Sequence, residues 1–244
     1  MAGSRLILVH GLFRAADSNF SGDICSIGAA RSEAVARHGE RLGIQHYEWV
    51  DAVHKAMANR FLRFARGTAQ PVDALEIMEI DEAVALRALA TDAGRDGWRE
   101  IASCTPFGLD AGRSFILAGS LRELVRGPAL GQRVFWLGRG LGQLSEAEFI
   151  THYTGHHGPL VAANATCLGI RRYRQVASEP CSLCDSLRDL DLGQASPPPV
   201  FAELAMGTPP LNPKSLLARR AATAAIKKDE KRHIDFARSM LLLT

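Results

Sequence analysis

The chain has 244 residues, 47% of them hydrophobic and 23% charged, with a formal net charge of +3. That apolar fraction supports a core and excludes wholesale disorder, and the length suits one large or two small domains. The arginines are scattered, with no dense basic block and no interleaved aromatic platform, which argues against nucleic-acid binding. No apolar run reaches the roughly 18–20 residues that a membrane span needs.

The start, MAGSRLILVHGLF, has a short apolar run and no small-residue cleavage site, so it reads as a strand, Arg5–Phe13, rather than a signal peptide. A helix over Ile24–Leu42 follows, then strands at Ile44–Val53 and Ala74–Ile80. Asp81 caps a second helix that runs to Ala102, and Ser114–Ala118 is a fourth strand. Residues 120–132 read as a connector, with Leu121, Leu124 and Val125 in a short helix before Gly127-Pro128. Strands return near 133–138, 170–176, 200–206 and 240–244. Between the first two of these, Ser145 and Glu148 form the S-x-x-E capping box of a helix start. Phe149, Tyr153 and His157 follow at i, i+4 and i+8 and share one face. Gly158-Pro159 should interrupt that helix, because the residue before proline is pushed out of the α region. Asn212-Pro213 opens the last helix, a cap followed by proline at the first helical position. The long connections are Lys55–Val72 and Glu179–Pro199.

The two halves resemble each other. L-G-I-x-x-Y-x-x-V occurs from Leu42 and again from Leu168, 126 positions on. D-x-x-R-S occurs from Asp110 and from Asp235, 125 apart, and Arg14 and Arg139 show the same offset. Ala74–Ile77 parallels Phe201–Leu204 at 127. Each half then reads as one β-α-β-β-α-β ferredoxin-like unit. The predicted class is α+β, with repeats at 1–119 and 133–244 joined by 120–132. The runs LILV, VFWL and MLLL are apolar at successive positions, which predicts strands buried on both faces.

Five cysteines, an odd number at scattered spacing, give no disulfide framework and point to a reducing cytoplasm. Cys181-x-x-Cys184 stands alone; zinc would need two more ligands, so a thiol pair in a loop is the reading. No Walker loop, GxSxG or strand-GxGxxG-helix is present. His152, His156 and His157 lie in one helix, and histidine can give or take a proton near neutral pH. His157 is the candidate proton carrier; its alternative role is to bond the carbonyls freed at the kink. His152 and His156 at i, i+4 have no obvious third ligand, so no metal is expected. The repeated D-x-x-R-S serves what both halves share, a turn into the fourth strand. His10, opposite Phe135 in the repeat, either enters a second pocket or is a core histidine.

F-x-x-x-Y-x-x-x-H-G-P-L after a strand, from Phe149, resembles the EthD family of the dimeric α/β-barrel superfamily, as does the closing Ile234–Ser239, IDFARS. The resemblance implies paired ferredoxin-like sheets closing a barrel, here within one chain, or alternatively a homodimer. It implies a small-molecule enzyme with no cofactor, in a catabolic or tailoring pathway. The expected reaction is that of a lyase, decarboxylation first, on an aromatic or apolar carboxylic acid. His157 or His152 would deliver the proton and Tyr153 would orient the substrate. Trp136, Phe149 and His10 would line the pocket, and Arg139 would hold a carboxylate. A cofactor-free isomerase or cyclase, a monooxygenase, a haem protein ligated by His157 and a small-molecule carrier are the alternatives.

Overall fold

The computed structural model describes residues 5–13, 24–51, 70–104 and 109–244. The elements run β1 (Arg5–Leu12), α1 (Ile24–His38), β2 (Ile44–Asp51), β3 (Gln70–Pro71) and β4 (Ala74–Asp81). Then come α2 (Glu82–Leu89), α3 (Asp92–Ser103), β5 (Phe115–Gly119), β6 (Leu121–Val125) and β7 (Gln132–Gly138). The chain continues with α4 (Glu146–His152), a π-helical turn (Tyr153–His157), α5 (Gly158–Ala163), α6 (Ala165–Leu168) and β8 (Ile170–Ala177). It closes with α7 (Ser182–Arg188), β9 (Val200–Met206), α8 (Pro213–His233) and β10 (Met240–Leu243). The protein is α+β, with two sheets. Arg14 and most of the Lys55–Val72 connection lie outside the described residues.

The chain divides into two compact units. The first takes Met1–Ala52, Val72–Ser120 and Ser178–Pro197; the second takes Val53–Pro71, Leu121–Ala177 and Pro198–Thr244. The first unit has an antiparallel four-stranded sheet in the order β2-β4-β1-β5. Its core packs Leu6, Leu8, Met78 and Ile80 of the sheet against Ala34, Val35, Ala85, Trp98 and Ile101 of the helices. The second unit has the order β3-β10-β7-β9-β8-β6, antiparallel except for the two-residue β3–β10 pairing. Here Trp136, Ile170, Tyr173 and Ala202 meet Phe149, Tyr153, Val161 and Ile226. The runs of successive apolar residues are buried on both faces, as β1 from Leu6 to Leu12 shows.

The sequence repeats have local causes. Gly43 and Gly169 of the two L-G-I motifs have φ of +73° and +75°, a left-handed conformation that ends a helix and turns the chain into a strand. A Cβ on Gly169 would lie 2.7 Å from the Gly207 carbonyl oxygen. Gly169→Ala is expected to cost about 1–2 kcal/mol from the left-handed backbone alone, seen as a lower urea midpoint. In each D-x-x-R-S the aspartate carboxylate accepts the arginine backbone N–H at 3.2 Å. The serine hydroxyl donates to the aspartate carbonyl at 2.8 Å in one and 2.7 Å in the other. The motif is a turn held by backbone bonds.

Four local expectations differ from the structure. The predicted helix 81–102 is two helices, because Thr91 caps α3 through Gly94 N–H at 3.1 Å. Gly94 passes so close to the Ala88 carbonyl oxygen that a Cβ there would sit 2.0 Å from it. Residues 121–125 form a strand; five residues are too few for a stable isolated helix, and β8 offers an edge to pair with. Gly158-Pro159 does not stop its helix. Gly158 N–H bonds the Tyr153 carbonyl five residues back, and this wider turn lets the helix pass the proline, which has no N–H to give. The connection after Glu179 contains α7, a seven-residue helix whose start is capped by a cysteine rather than a familiar capping residue.

Candidate functional site

In the second unit, a cavity of about 310 Å³ lies between the sheet and its helices. Trp136, Ile226, Phe236 and Leu241 give it an apolar wall; Tyr153, His157, Tyr173, Arg219 and Glu230 are its polar lining. The π-helical turn that continues α4 positions two of these. The capping box forms as expected, with Ser145 and Glu148 bonding reciprocally. Phe149, Tyr153 and His157 then all turn inward and are buried. Tyr153 stacks on His157, ring centroids 4.9 Å apart, and packs on Phe149 at 5.6 Å.

Asp229 of α8 organises the histidines. Its Oδ2 lies 2.8 Å from His157 Nδ1 and its Oδ1 lies 2.8 Å from His152 Nε2. A carboxylate only accepts, so the two ring nitrogens facing it, His157 Nδ1 and His152 Nε2, carry protons. Burial pushes the Asp229 carboxyl up; the bonds from His157 and His152 outweigh this and hold it below its ordinary value. Burial lowers His152, against the pull of Asp229. His152 also stacks face to face on His233, centroids 3.3 Å apart, while the His156 side chain is 64% exposed. Nitrogen and oxygen donors of His152, Asp229 and His233 lie within 4.8 Å of one another, the set among the described residues that could hold a cation. His152 Nε2 bonds Asp229 Oδ1 at 2.8 Å, and His233 Nδ1 meets the Asp229 backbone carbonyl oxygen at 3.1 Å.

A second chain of polar groups enters from the sheet. The Tyr173 hydroxyl accepts Gln175 Nε2 at 2.5 Å and lies close enough to Tyr153 for each phenol to shift the other's pKa. Burial raises both phenols, so they stay protonated.

The structure therefore brings His157, Tyr153 and Trp136 to one cavity. His152 sits behind Asp229, and Phe149 is core beneath Tyr153. Arg139 is not among the cavity's lining residues; its backbone N–H bonds Ser239 Oγ, and burial then the nearby Arg238 lower its pKa. His10 belongs to the first unit. There it meets Glu76 Oε2 at 2.7 Å, Arg31 Nη1 meets the same oxygen at 2.5 Å, and the Tyr47 hydroxyl donates to Oε1 at 2.9 Å. His10 and Arg31 line a more polar cavity of about 390 Å³.

Asp229, Tyr173, Arg219 and Glu230 escaped the sequence reading. Asp229 and Glu230 lie in the charged run KKDEKRH, which looks like a solvated face. The signal was periodicity: Ala222, Ile226, Asp229 and Glu230 fall on one helical stripe, and these are the buried positions of α8.

No curated protein sequence matches the chain. Among solved structures, a candidate monooxygenase of Fusobacterium nucleatum is similar at 11% identity over 100% of this chain and 92% of that one, with a TM-score of 0.49. A mutant chlorite dismutase of Candidatus Nitrospira defluvii is similar at 12% identity over 100% of this chain and 91% of that one, TM-score 0.44. No helix among the described residues is long and apolar enough to cross a membrane. Residues 142–237, which include α4, the π-helical turn and Asp229, match the family described as the EthD domain.

Proposed function

We propose that the second unit is a proton-transfer enzyme for a small, largely apolar carbonyl compound, with His157 as general base and acid. The observation that carries this is His157 on the wall of an apolar cavity, with Asp229 bonded to its Nδ1. Asp229 fixes the ring and its tautomer, and the imidazole Nε2 takes a proton from carbon beside the carbonyl. Tyr173 donates to the carbonyl oxygen as charge develops there, with Gln175 holding its hydroxyl. His157 returns the proton to another carbon, which is isomerisation or, if the intermediate attacks itself, cyclisation.

Decarboxylation stands second. Binding a carboxylic acid with its carboxylate beside the proton donor calls for a cation there to pair with it. Among the described residues the lining cation is Arg219, eleven positions before Glu230 on α8 and so roughly 16 Å from it along the axis. Buried Glu230, next to Asp229, opposes a second carboxylate there. Arg219 is better placed to anchor a remote polar end of the substrate.

We also propose that the units are tandem ferredoxin-like repeats framed by 1–119 and 133–244. Taken within each half, β1, β2, β4, β5 and β7, β8, β9, β10 have the same spatial order, fourth-first-third-second. His10 pairs with Glu76 as Trp136 pairs with Ala202, which makes Trp136 rather than Phe135 the counterpart of His10 at the 126-residue offset.

The test is to incubate the protein with aromatic and aliphatic ketones and keto acids and analyse products by mass spectrometry. An isomer of unchanged mass, with solvent deuterium incorporated, is expected. A product lighter by carbon dioxide moves decarboxylation to first place. Stoichiometric binding with the ligand returned unlabelled and unchanged identifies a carrier and ends the enzymatic reading.

A further inference from the structure

We propose that Cys181 and Cys184 form a reversible thiol–disulfide pair, with Cys181 as the attacking sulfur and Cys184 as the resolving one. Both belong to the first unit and neither lines its cavity. Cys181 caps α7 with an extended backbone, φ −143° and ψ 108°, and its Sγ accepts the Cys184 N–H at 3.4 Å. The cap and the third helical residue of one turn have Cα atoms about 5 Å apart. That falls within the ~4.4–6.8 Å span of disulfides. Joining the sulfurs thus needs side-chain rotation rather than backbone movement.

The two thiols differ in ways that assign the roles. Cys181 is partly exposed and Cys184 is buried. The neighbouring Cys184 thiol draws the Cys181 pKa down, though burial opposes it. The same neighbour relation, with burial added, pushes Cys184 up. Glu82 Oε1, 4.0 Å from Cys181 Sγ, works against the thiolate and keeps the effect moderate. The sulfur that a reagent can reach is therefore also the better nucleophile at neutral pH. Cys104, just after α3, and Cys167, in α6, are instead each turned onto a backbone carbonyl three or four residues back, at 3.1 and 3.2 Å.

The co-reactant is a low-molecular-weight disulfide. The Cys181 thiolate attacks one of its sulfurs, breaking that S–S bond, releasing one thiolate and leaving a mixed disulfide on Cys181. Cys184 loses its proton and attacks the Cys181 sulfur, forming the internal bond and expelling the second thiolate. Two electrons pass from the cysteine pair to the small disulfide, which leaves as two thiols carrying the two cysteine protons. An external dithiol reverses both steps.

Oxidised glutathione is the probe, applied to the reduced, folded full chain, with alkylation and tryptic mapping afterwards. Both cysteines fall in the peptide 175–188, between Arg174 and Arg188. In the wild type this peptide is expected two hydrogens lighter and unalkylated, and to revert with dithiothreitol. Cys184→Ser should stop at a stable glutathione adduct on Cys181, because nothing resolves it. Cys181→Ser should leave Cys184 reduced. Circular dichroism of the oxidised wild type should match the reduced form. The proposal is overturned if both thiols of the folded wild type remain alkylatable. It is equally overturned if the bond forms to another cysteine, if the two serine variants react alike, or if the internal bond appears only after the fold is lost.

Discussion

Replacing His157 by glutamine is expected to lower turnover by about 10²- to 10⁴-fold, the usual contribution of a general acid–base residue. Glutamine can still donate to Asp229 Oδ2, where His157 Nδ1 sits at 2.8 Å, so the cavity wall should stay in place. What it cannot do is exchange a proton near neutral pH. His157→Ala should lose as much turnover and also lose stability, about 1–3 kcal/mol, because buried Asp229 then lacks one of its donors. Turnover and melting temperature measured on the same two variants separate the chemical role from a structural one. If glutamine restores turnover to near wild type, His157 only shapes the helix, and the histidine on the other Asp229 oxygen, His152, becomes the candidate. Tyr173→Phe supplies an independent check: removing one oriented donor to a developing oxyanion should cost about 10²- to 10³-fold, with kcat falling more than KM rises.

His157 and its partner were not equally visible in the sequence. The capping box at Ser145 and the four-residue spacing of Phe149, Tyr153 and His157 fixed a helix face without any tertiary information. Asp229 lies 72 positions from His157, and nothing local connects them. Only the packing of α8 beside the π-helical turn makes it a partner. Arg139 shows what position in the sequence leaves open. It closes a strand beside glycines, and its backbone N–H bonds Ser239 and so joins it to the D-x-x-R-S turn, outside the lining of the cavity. The π-helical turn was illegible for a further reason: a proline rule describes a regular helix, and one widened turn satisfies the rule without ending the helix. Strand β6, Leu-Arg-Glu-Leu-Val, shows that a mixed pentapeptide takes its structure from the edge beside it, here β8, more than from its own pattern.

The largest stability effect should come from the first unit. Glu76 is fully buried, and Arg31, only 2% exposed, is its counter-charge. Removing one member of a buried pair leaves the other charge uncompensated and typically costs about 3–5 kcal/mol. Arg31→Met is therefore expected to lower the apparent melting temperature by about 6–20 °C. Glu76→Gln should act in the same direction, and the Arg31→Met, Glu76→Leu double variant should be more stable than Arg31→Met alone. The pair also sets an acid limit. Burial by itself would raise the Glu76 carboxyl, but the Arg31 charge and the His10 and Tyr47 bonds overcome it and bring it from 4.5 to about 2. His10 is lowered by its burial and so stays neutral at pH 7, leaving one negative and one positive charge in the cluster. A carboxyl depressed on folding stabilises fully above its unfolded pKa, and this is lost as pH falls through the folded value. The wild type should thus begin to lose stability below about pH 4.5 and lose about 3 kcal/mol by pH 2 from this group. Urea midpoints measured across that window should fall less steeply for Glu76→Gln, which has no carboxyl to protonate there. Parallel slopes for the two proteins would mean that Arg31 does not hold Glu76 ionised, and that the acid sensitivity of the chain lies elsewhere.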